Sequence, residues 1–296
     1  MPKVSVLMPA YNSEKYIAEA IDSILNQTFT DFEFIIINDG STDNTAKIIR
    51  NYARKDLRIR FINNRQNRGF IKRLNDCLDL ASGEYVAKMD SDDISLPTRL
   101  EKQVEFLDSH PDIGMVGCGL QAFDKGDFIK THPAKIGLVD ALIEIPTTIF
   151  MARRSLIEQN KLRFNPDFIA CEDYEFYAQF IKHANIANIP DVLYKYRWHG
   201  NNISIKKRDI QSKNTKLVQQ ELAQHLTYNI KMQKNLLWLC TESNTHVKLF
   251  GIIPIIRIKR YGINKTKYYL FEKIPLLRVQ DEKIYLFEFI KIGKIK

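Results

Sequence analysis

Short apolar runs and amphipathic stretches alternate along the first 108 residues. Lys3–Met8 reads as a buried strand that ends at Pro9. Glu14–Asn26 puts Ile17, Ala18, Ile21, Ile24 and Leu25 on one helical face. Phe32–Asn38 is a second apolar strand, after which Ser41 or Thr42 caps a helix to about Arg54. Arg58–Ile62 is a third strand, and Asn67-Arg68-Gly69 introduces a helix to about Ala81, closed by Ser82-Gly83. Glu84–Met89 is a fourth strand and runs into Asp90-Ser91-Asp92-Asp93. Pro97 suits the first turn of a helix through Leu107. This alternation with short links predicts an α/β protein whose mostly parallel sheet has helices on both faces.

Beyond Asp108 the pattern loosens. Strands are expected at Ile113–Ala122, Thr147–Met151 and Val192–Arg197, and a helix at Asp173–His183. Asp124–Ile145 is polar and irregular and reads as a mobile acceptor loop. From about Asp209 to Cys240, Val218, Leu222, Leu226 and Ile230 form a helical stripe. The last stretch repeats itself. VKLFGIIPIIRIK (247–259) resembles YYLFEKIPLLRVQ (268–280), with a weaker copy in IYLFEFIKIGKIK (284–296). Each copy alternates like short strands or hairpins, and one alone has no partner for its apolar face.

The chain has 296 residues, 45% of them hydrophobic and 27% charged, which is globular composition. Its net charge of +9 is uneven. Residues 247–296 hold twelve Lys/Arg and four Asp/Glu, leaving 32 against 31 in the rest. A neutral body with a cationic tail argues against a nucleic-acid binder, which wears basic residues on its main domain. The four cysteines (Cys77, Cys118, Cys171 and Cys240) form no C-x-x-C pair and fit a reducing cytosol. The start, MPKVSVLMPAYN, lacks the long apolar core of a signal peptide, and no run approaches the roughly 20 apolar residues that span a bilayer. A cytoplasmic protein is expected, with any membrane contact peripheral on the inner face.

Ligands of parallel sheets bind at the carboxyl ends of strands. Three polar clusters fall there: Pro9–Asn12, Asn38–Thr42 and Asp90–Asp93. Asp90 and Asp92 sit at alternate positions after a strand, where they converge on a hard cation or merely cap the next helix. Asp39 is either an acceptor for a base or ribose or a helix cap. Tyr11 stacks on a base or packs in the core. Asp173 opens the helix EDYEFYAQFIKH. It is either a general base or charge decoration at a helix start. Arg197 and His199 end a strand and offer a phosphate ligand and a metal ligand, or ordinary surface polarity.

Together these segments resemble glycosyltransferase family 2, the nucleotide-sugar transferases of GT-A fold. The matching segments are VSVLMPAYN (4–12), IIINDGSTDNT (35–45), NRGFIKRLN (67–75), GEYVAKMDSDDISLPTRLEKQ (83–103), CEDYEFY (171–177) and YRWHGNNIS (196–204), in family order. The resemblance implies a Rossmann-like GT-A domain over 1–205, with 1–108 holding the nucleotide sugar and 109–205 the acceptor. A helical segment (206–246) and a basic β-repeat tail (247–296) would follow. It implies that Pro9 and Tyr11 line the base pocket, that Asp39 meets base or ribose, and that Arg197 meets the donor. Asp90 and Asp92 would be the D-x-D pair that binds Mn or Mg with the donor, His199 a third ligand, and Asp173 the base of an inverting transfer. One position departs: where many members read N-x-G-x-x-x-A-R-N, the Arg position here is Leu74.

The expected activity is metal-dependent transfer from a nucleotide diphosphate sugar, UDP-linked, to a hydroxyl of a glycan or lipid-linked glycan. A sugar nucleotidyltransferase shares the layered sheet and acidic site, but would want a Gly-rich phosphate loop where this chain has Pro-Ala-Tyr-Asn. A non-catalytic tethering module would leave the acidic strand ends without purpose. The basic tail (247–296) suits an anionic membrane surface, or packs on itself or in a homo-oligomer.

Overall fold

The computed structural model describes residues 1–131, 135–136, 149–199 and 202–232, and the strand segments of the tail named below. Side chains are described within 1–131, 149–199 and 202–225, except at 204 and 205. The chain divides into two compact units, Met1–Thr215 and Lys216–Lys296.

In the first unit, β1 (Val4–Ala10), β2 (Phe32–Asp39), β3 (Ile59–Asn64) and β4 (Tyr85–Lys88) run parallel in the order β3-β2-β1-β4. Strands β1 and β2 are apolar at nearly every position because both sheet faces are covered. The links between them are α1 (Ile17–Leu25), α2 (Thr45–Ala53) and α3 (Phe70–Leu80). Helix α1 buries Ile17, Ala20, Ile21 and Ile24, the i, i+3, i+4, i+7 face. Each large apolar side chain so buried contributes about 1.5–3 kcal/mol.

After β4 come a two-residue strand, β5 (Ile94–Ser95), and α4 (Arg99–Ser109). There follow β6 (Ile113–Asp124), β7 (Ile129–Lys130), β8 (Lys135–Ile136), β9 (Phe150–Arg153), α5 (Arg154–Gln159), α6 (Glu172–Phe180) and β10 (Asn185–Trp198). The full path is β3-β2-β1-β4-β9-β6-β10-β5. The sheet is parallel except at β9, which runs antiparallel to both β4 and β6, and at the short edge strands. Strand β10 is longer than the expected Val192–Arg197. Its register on β6 shifts between Ile189 and Val192, around Pro190, where a bulge tolerates the missing donor. Helix α4 starts at Arg99, and Pro97 lies two residues ahead of it. Much of the expected Asp124–Ile145 loop, at 132–134 and 137–145, lies outside the described residues.

Helix α7 (Ile203–Lys206) leads into α8 (Arg208–Met232), which crosses the boundary between the units. The expected helix to Cys240 ends at Met232, and Leu237–Cys240 is instead strand β11. The second unit continues with β12 (Thr245–Leu249), β13 (Ile253–Arg260), β14 (Lys265–Leu270), β15 (Ile274–Gln280), β16 (Lys283–Leu286) and β17 (Ile290–Lys294). These seven strands form one sheet in sequence order, every neighbour antiparallel. Each sequence repeat is one hairpin. Leu249 pairs with Ile253, Leu270 with Ile274 and Leu286 with Ile290. A register shift recurs one step before the same Leu in each copy, after Val247, Tyr268 and Ile284. The repeat is therefore structural as well as sequential.

Candidate functional site

The turns after β1 and β2 are stitched together. Asn12 takes a left-handed φ of 48°. Its N–H donates to Ser41 Oγ at 2.9 Å, and its Oδ1 accepts from the Thr42 N–H at 2.9 Å. Ser13 N–H donates to Thr45 Oγ1 at 2.8 Å, and Ser13 Oγ meets Ser91 Oγ at 2.8 Å. The acidic turn is thus tied to the end of the first strand. Pro9 is buried in β1, beside Ile37, while Tyr11 is 47% exposed and free to meet a planar ligand.

Asp39 ends β2 and is buried. Its Oδ1 accepts from the Arg68 N–H at 2.9 Å and from Arg73 Nε at 2.6 Å, and its Oδ2 accepts from the Gly69 N–H at 2.8 Å. Gly40 permits this approach. Its φ is +70°, and a Cβ there would lie 2.7 Å from the Asn67 nitrogen. Arg73 also donates to the Gln66 carbonyl at 3.0 Å and to Asp76 at 2.8 Å. Burial lowers its pKa, but Asp39 and Asp76 outweigh that and raise it overall. Leu74 is wholly buried, so the neighbouring Arg73 is the cation that faces this strand end.

Asp90 follows β4, and its N–H donates to the Tyr194 hydroxyl at 3.3 Å. Asp92 accepts or shares a proton with His199 Nε2 at 3.0 Å. The His199 ring stacks on Tyr16 at 5.5 Å and 8°. Burial raises the Asp92 pKa and the Asp90 charge adds to it, while His199 opposes. Asp93 is buried and accepts the Arg197 N–H at 2.7 Å. Burial drives its pKa well up, helped by Asp92 and Asp90. The Arg197 guanidinium lies between Tyr16 and Phe123, 4.5 and 4.4 Å from the ring centres. It donates to the Asp92 carbonyl at 2.8 Å and pairs with Glu19. The structure thus uses Arg197 to hold the acidic turn, with its donors directed at protein groups.

Asp173 stands in the first turn of α6, beside Glu172 and Glu175, where the helix dipole favours negative charge. Ala170, at φ +62°, turns the chain into this helix. Phe164 and Phe176 stack at 4.2 Å, and Phe150 lies 5.7 Å from Phe176, which fixes the helix from behind. Burial pushes the Asp173 carboxyl up to about 7, Glu172 and Asp90 add to the rise, and Lys88 opposes it.

Sequence reasoning passed over Lys88. It is 2% exposed, and its Nζ lies 3.1 Å from Asp173 Oδ2 and 3.2 Å from Asp90 Oδ1. The available signal was a lone charge in the apolar strand YVAKM. The structure brings together Asp90, Asp173 and Lys88 on one side and Asp92, Arg197 and His199 on the other.

The donor types here suit a hard divalent cation. Asp90 Oδ1 is buried and accepts no hydrogen bond, and the Asp90 charge raises the Asp92 pKa. Among the described residues, however, no cluster of three or more His, Cys, Asp or Glu is already assembled around one point. Among those residues, too, no helix is long and apolar enough to cross a membrane.

Residues 5–180 match the family model described as "Glycosyl transferase family 2". An uncharacterized glycosyltransferase of Haemophilus influenzae is 36% identical over 280 residues, covering 90% of this chain and 82% of that one. The chondroitin synthase of Escherichia coli is 32% identical over 220 residues, covering 72% of this chain but only 32% of the synthase. Among solved structures, S. aureus TarS 1-349 in complex with UDP-GlcNAc superposes with a TM-score of 0.61 at 28% identity. That match covers 68% of this chain and 60% of TarS 1-349.

Proposed function

Since the chain belongs to glycosyltransferase family 2 and carries the GT-A fold, we propose that it transfers a sugar from a UDP-sugar to a hydroxyl of a glycan or lipid-linked glycan, with inversion. The observation that carries this reading is the buried Asp173 carboxylate, joined through Lys88 to the acidic turn at the end of β4. Asp173 Oδ1 is buried and accepts no hydrogen bond, so it has an open lone pair for an acceptor hydroxyl. It takes the hydroxyl proton as the oxygen attacks the anomeric carbon. The new glycosidic C–O bond forms on one face, while the C–O bond to the diphosphate breaks on the other and UDP leaves. General-base help of this kind is worth about two to four orders of magnitude in rate, and positioning adds more.

Asp90, Asp92 and His199 are the residues that would hold Mn or Mg, which when bound supplies positive charge to the departing diphosphate. Tyr11 and Pro9 face the base. Asp39, already saturated by Arg68, Gly69 and Arg73, shapes the pocket floor between β2 and α3. The complex of TarS with UDP-GlcNAc supports a UDP-sugar donor. The cationic tail suits adsorption to an anionic membrane, where lipid-linked acceptors reside.

The test is a panel of UDP-sugars incubated with the protein and Mn2+, read as released UDP. One sugar should release UDP, and a chelator should stop it. Release of pyrophosphate instead would point to nucleotidyl transfer.

A further inference from the structure

Lys88 is the buried cation of the site. Strand β4 carries it into the sheet, where β1 pairs it with Leu7. Its main chain is fixed from behind by Arg99, which is wholly buried and donates to the Lys88 carbonyl at 2.7 Å. The ring of Phe70 lies 5.6 Å from Nζ. The ammonium therefore has two carboxylate partners, Asp173 Oδ2 at 3.1 Å and Asp90 at 3.2 Å. Asp90 follows Lys88 by two residues, whereas Asp173 lies 85 residues further along the chain.

We infer that Lys88 is a positioning residue that clamps Asp173 to Asp90 through Asp173 Oδ2 and so fixes the orientation of the carboxyl that serves as base. This rests on the reading of Asp173 as the base. A carboxylate on the first turn of a helix has several side-chain rotamers, and one of them reaches Lys88 Nζ. Lys88 selects that rotamer with a charge-assisted bond. The same ammonium ties the base to the turn that carries the donor, so the two reacting groups are held at one separation. A misplacement of about 1 Å costs roughly 100-fold in rate.

The test measures UDP release from the UDP-sugar that the wild-type chain turns over fastest, with Lys88→Met, Lys88→Arg, Asp173→Asn and the Lys88→Met/Asp173→Asn double variant. UDP affinity is measured in parallel by calorimetry. Lys88→Met should lower kcat about 100-fold with KM and UDP affinity changed less than threefold, and Lys88→Arg should recover part of the loss. Because Lys88 acts through Asp173, the double variant should be no slower than Asp173→Asn alone, a non-additivity that a merely structural residue would not produce. Additive losses, or a kcat for Lys88→Met within threefold of wild type, would overturn the clamp while leaving the transferase reading intact. If Lys88→Met does not fold, Lys88→Gln decides: a kcat loss at constant UDP affinity supports the clamp, and unchanged kcat overturns it. A wild-type chain that releases UDP from no UDP-sugar removes the reading and the clamp together.

Discussion

Arg73 and Asp39 form a buried ion pair, Nε to Oδ1 at 2.6 Å, with side chains 6% and 3% exposed. The pair locks the start of α3 onto the end of β2, since Asp39 also accepts the Arg68 and Gly69 N–H groups. Removing one partner of such a pair leaves an uncompensated buried charge, at a cost of about 3 kcal/mol or more. Arg73→Ala should therefore lower the thermal midpoint and weaken UDP binding together. Thermal unfolding and UDP calorimetry check this. Unchanged stability would show that the guanidinium is dispensable.

Tyr11 should stack on the base of the donor, because its ring is 47% exposed at the end of β1 and tied to no other group shown there. Base–aromatic stacking is worth about 1–3 kcal/mol per base. Tyr11→Ala should weaken UDP affinity about tenfold and leave the folded stability within 0.5 kcal/mol of wild type, the usual range for a surface change, roughly. Tyr11→Phe should bind as wild type does. Calorimetry with UDP separates the three.

The four parallel strands and three linking helices of residues 1–108 were legible because each buries a face with its own local period. Ile17, Ile21 and Ile24 recur at helical spacing, and Phe34–Ile37 is an unbroken apolar run. The acidic strand ends were legible for the same reason, since polar residues after a buried run mark where the sheet stops. What escaped is decided by contacts distant in sequence. Strand β5 exists only because Ile94 and Ser95 meet Lys195 and Tyr194. Helix α1 begins at Ile17, later than expected, because the Glu14 side chain accepts from the Asn44 N–H in the facing turn. Arg197 read as a phosphate ligand at a strand end, and its setting between Tyr16, Phe123 and Glu19 was not legible there. Lys88 drew no reading from the sequence, because its partner Asp173 lies 85 residues away on α6.

The pH profile follows from Asp173. Burial pushes its carboxyl up to about 7, with Glu172 and Asp90 reinforcing and Lys88 opposing. The sign is that of a raised acid: below about pH 7 the group holds its proton and cannot accept another. UDP release should therefore rise about tenfold per pH unit up to that point and level off above it. Asp173→Asn should lose two to four orders of magnitude in rate, roughly, and the remaining activity should lack this limb. UDP affinity should stay within threefold, roughly, since positioning of the donor does not pass through the base.

Asp92 and His199 meet at 3.0 Å in the acidic turn, whereas Asp90 is drawn to Lys88. Asp92→Ala should reduce the Mn2+ dependence of UDP binding, and His199→Ala should do so more weakly. Neither should disturb Arg197, whose bond is to the Asp92 carbonyl and the Asp93 carboxylate. Titration of UDP with and without Mn2+ reads the effect. Activity that persists unchanged in chelator would remove the cation from the mechanism.

The tail offers a last, independent test. Lys259 pairs in register with Lys267 on the next strand, and Lys267 pairs with Arg278 on the one after. Three cationic positions thus fall on one line across β13, β14 and β15. Like charges directly opposite on a sheet disfavour it, so an anionic surface that meets this line gains from relieving the repulsion. Each Lys or Arg near an anionic bilayer is worth about 1 kcal/mol. Replacing all three by Gln should lower the partition onto phosphatidylglycerol vesicles about 100-fold, while binding to phosphatidylcholine vesicles stays negligible. Raising the salt to about 1 M, where screening acts within 3 Å or so, should release the wild-type protein. If the triple variant pellets as wild type does, the tail's charge is simply solvated, and the enzyme meets its acceptor without it.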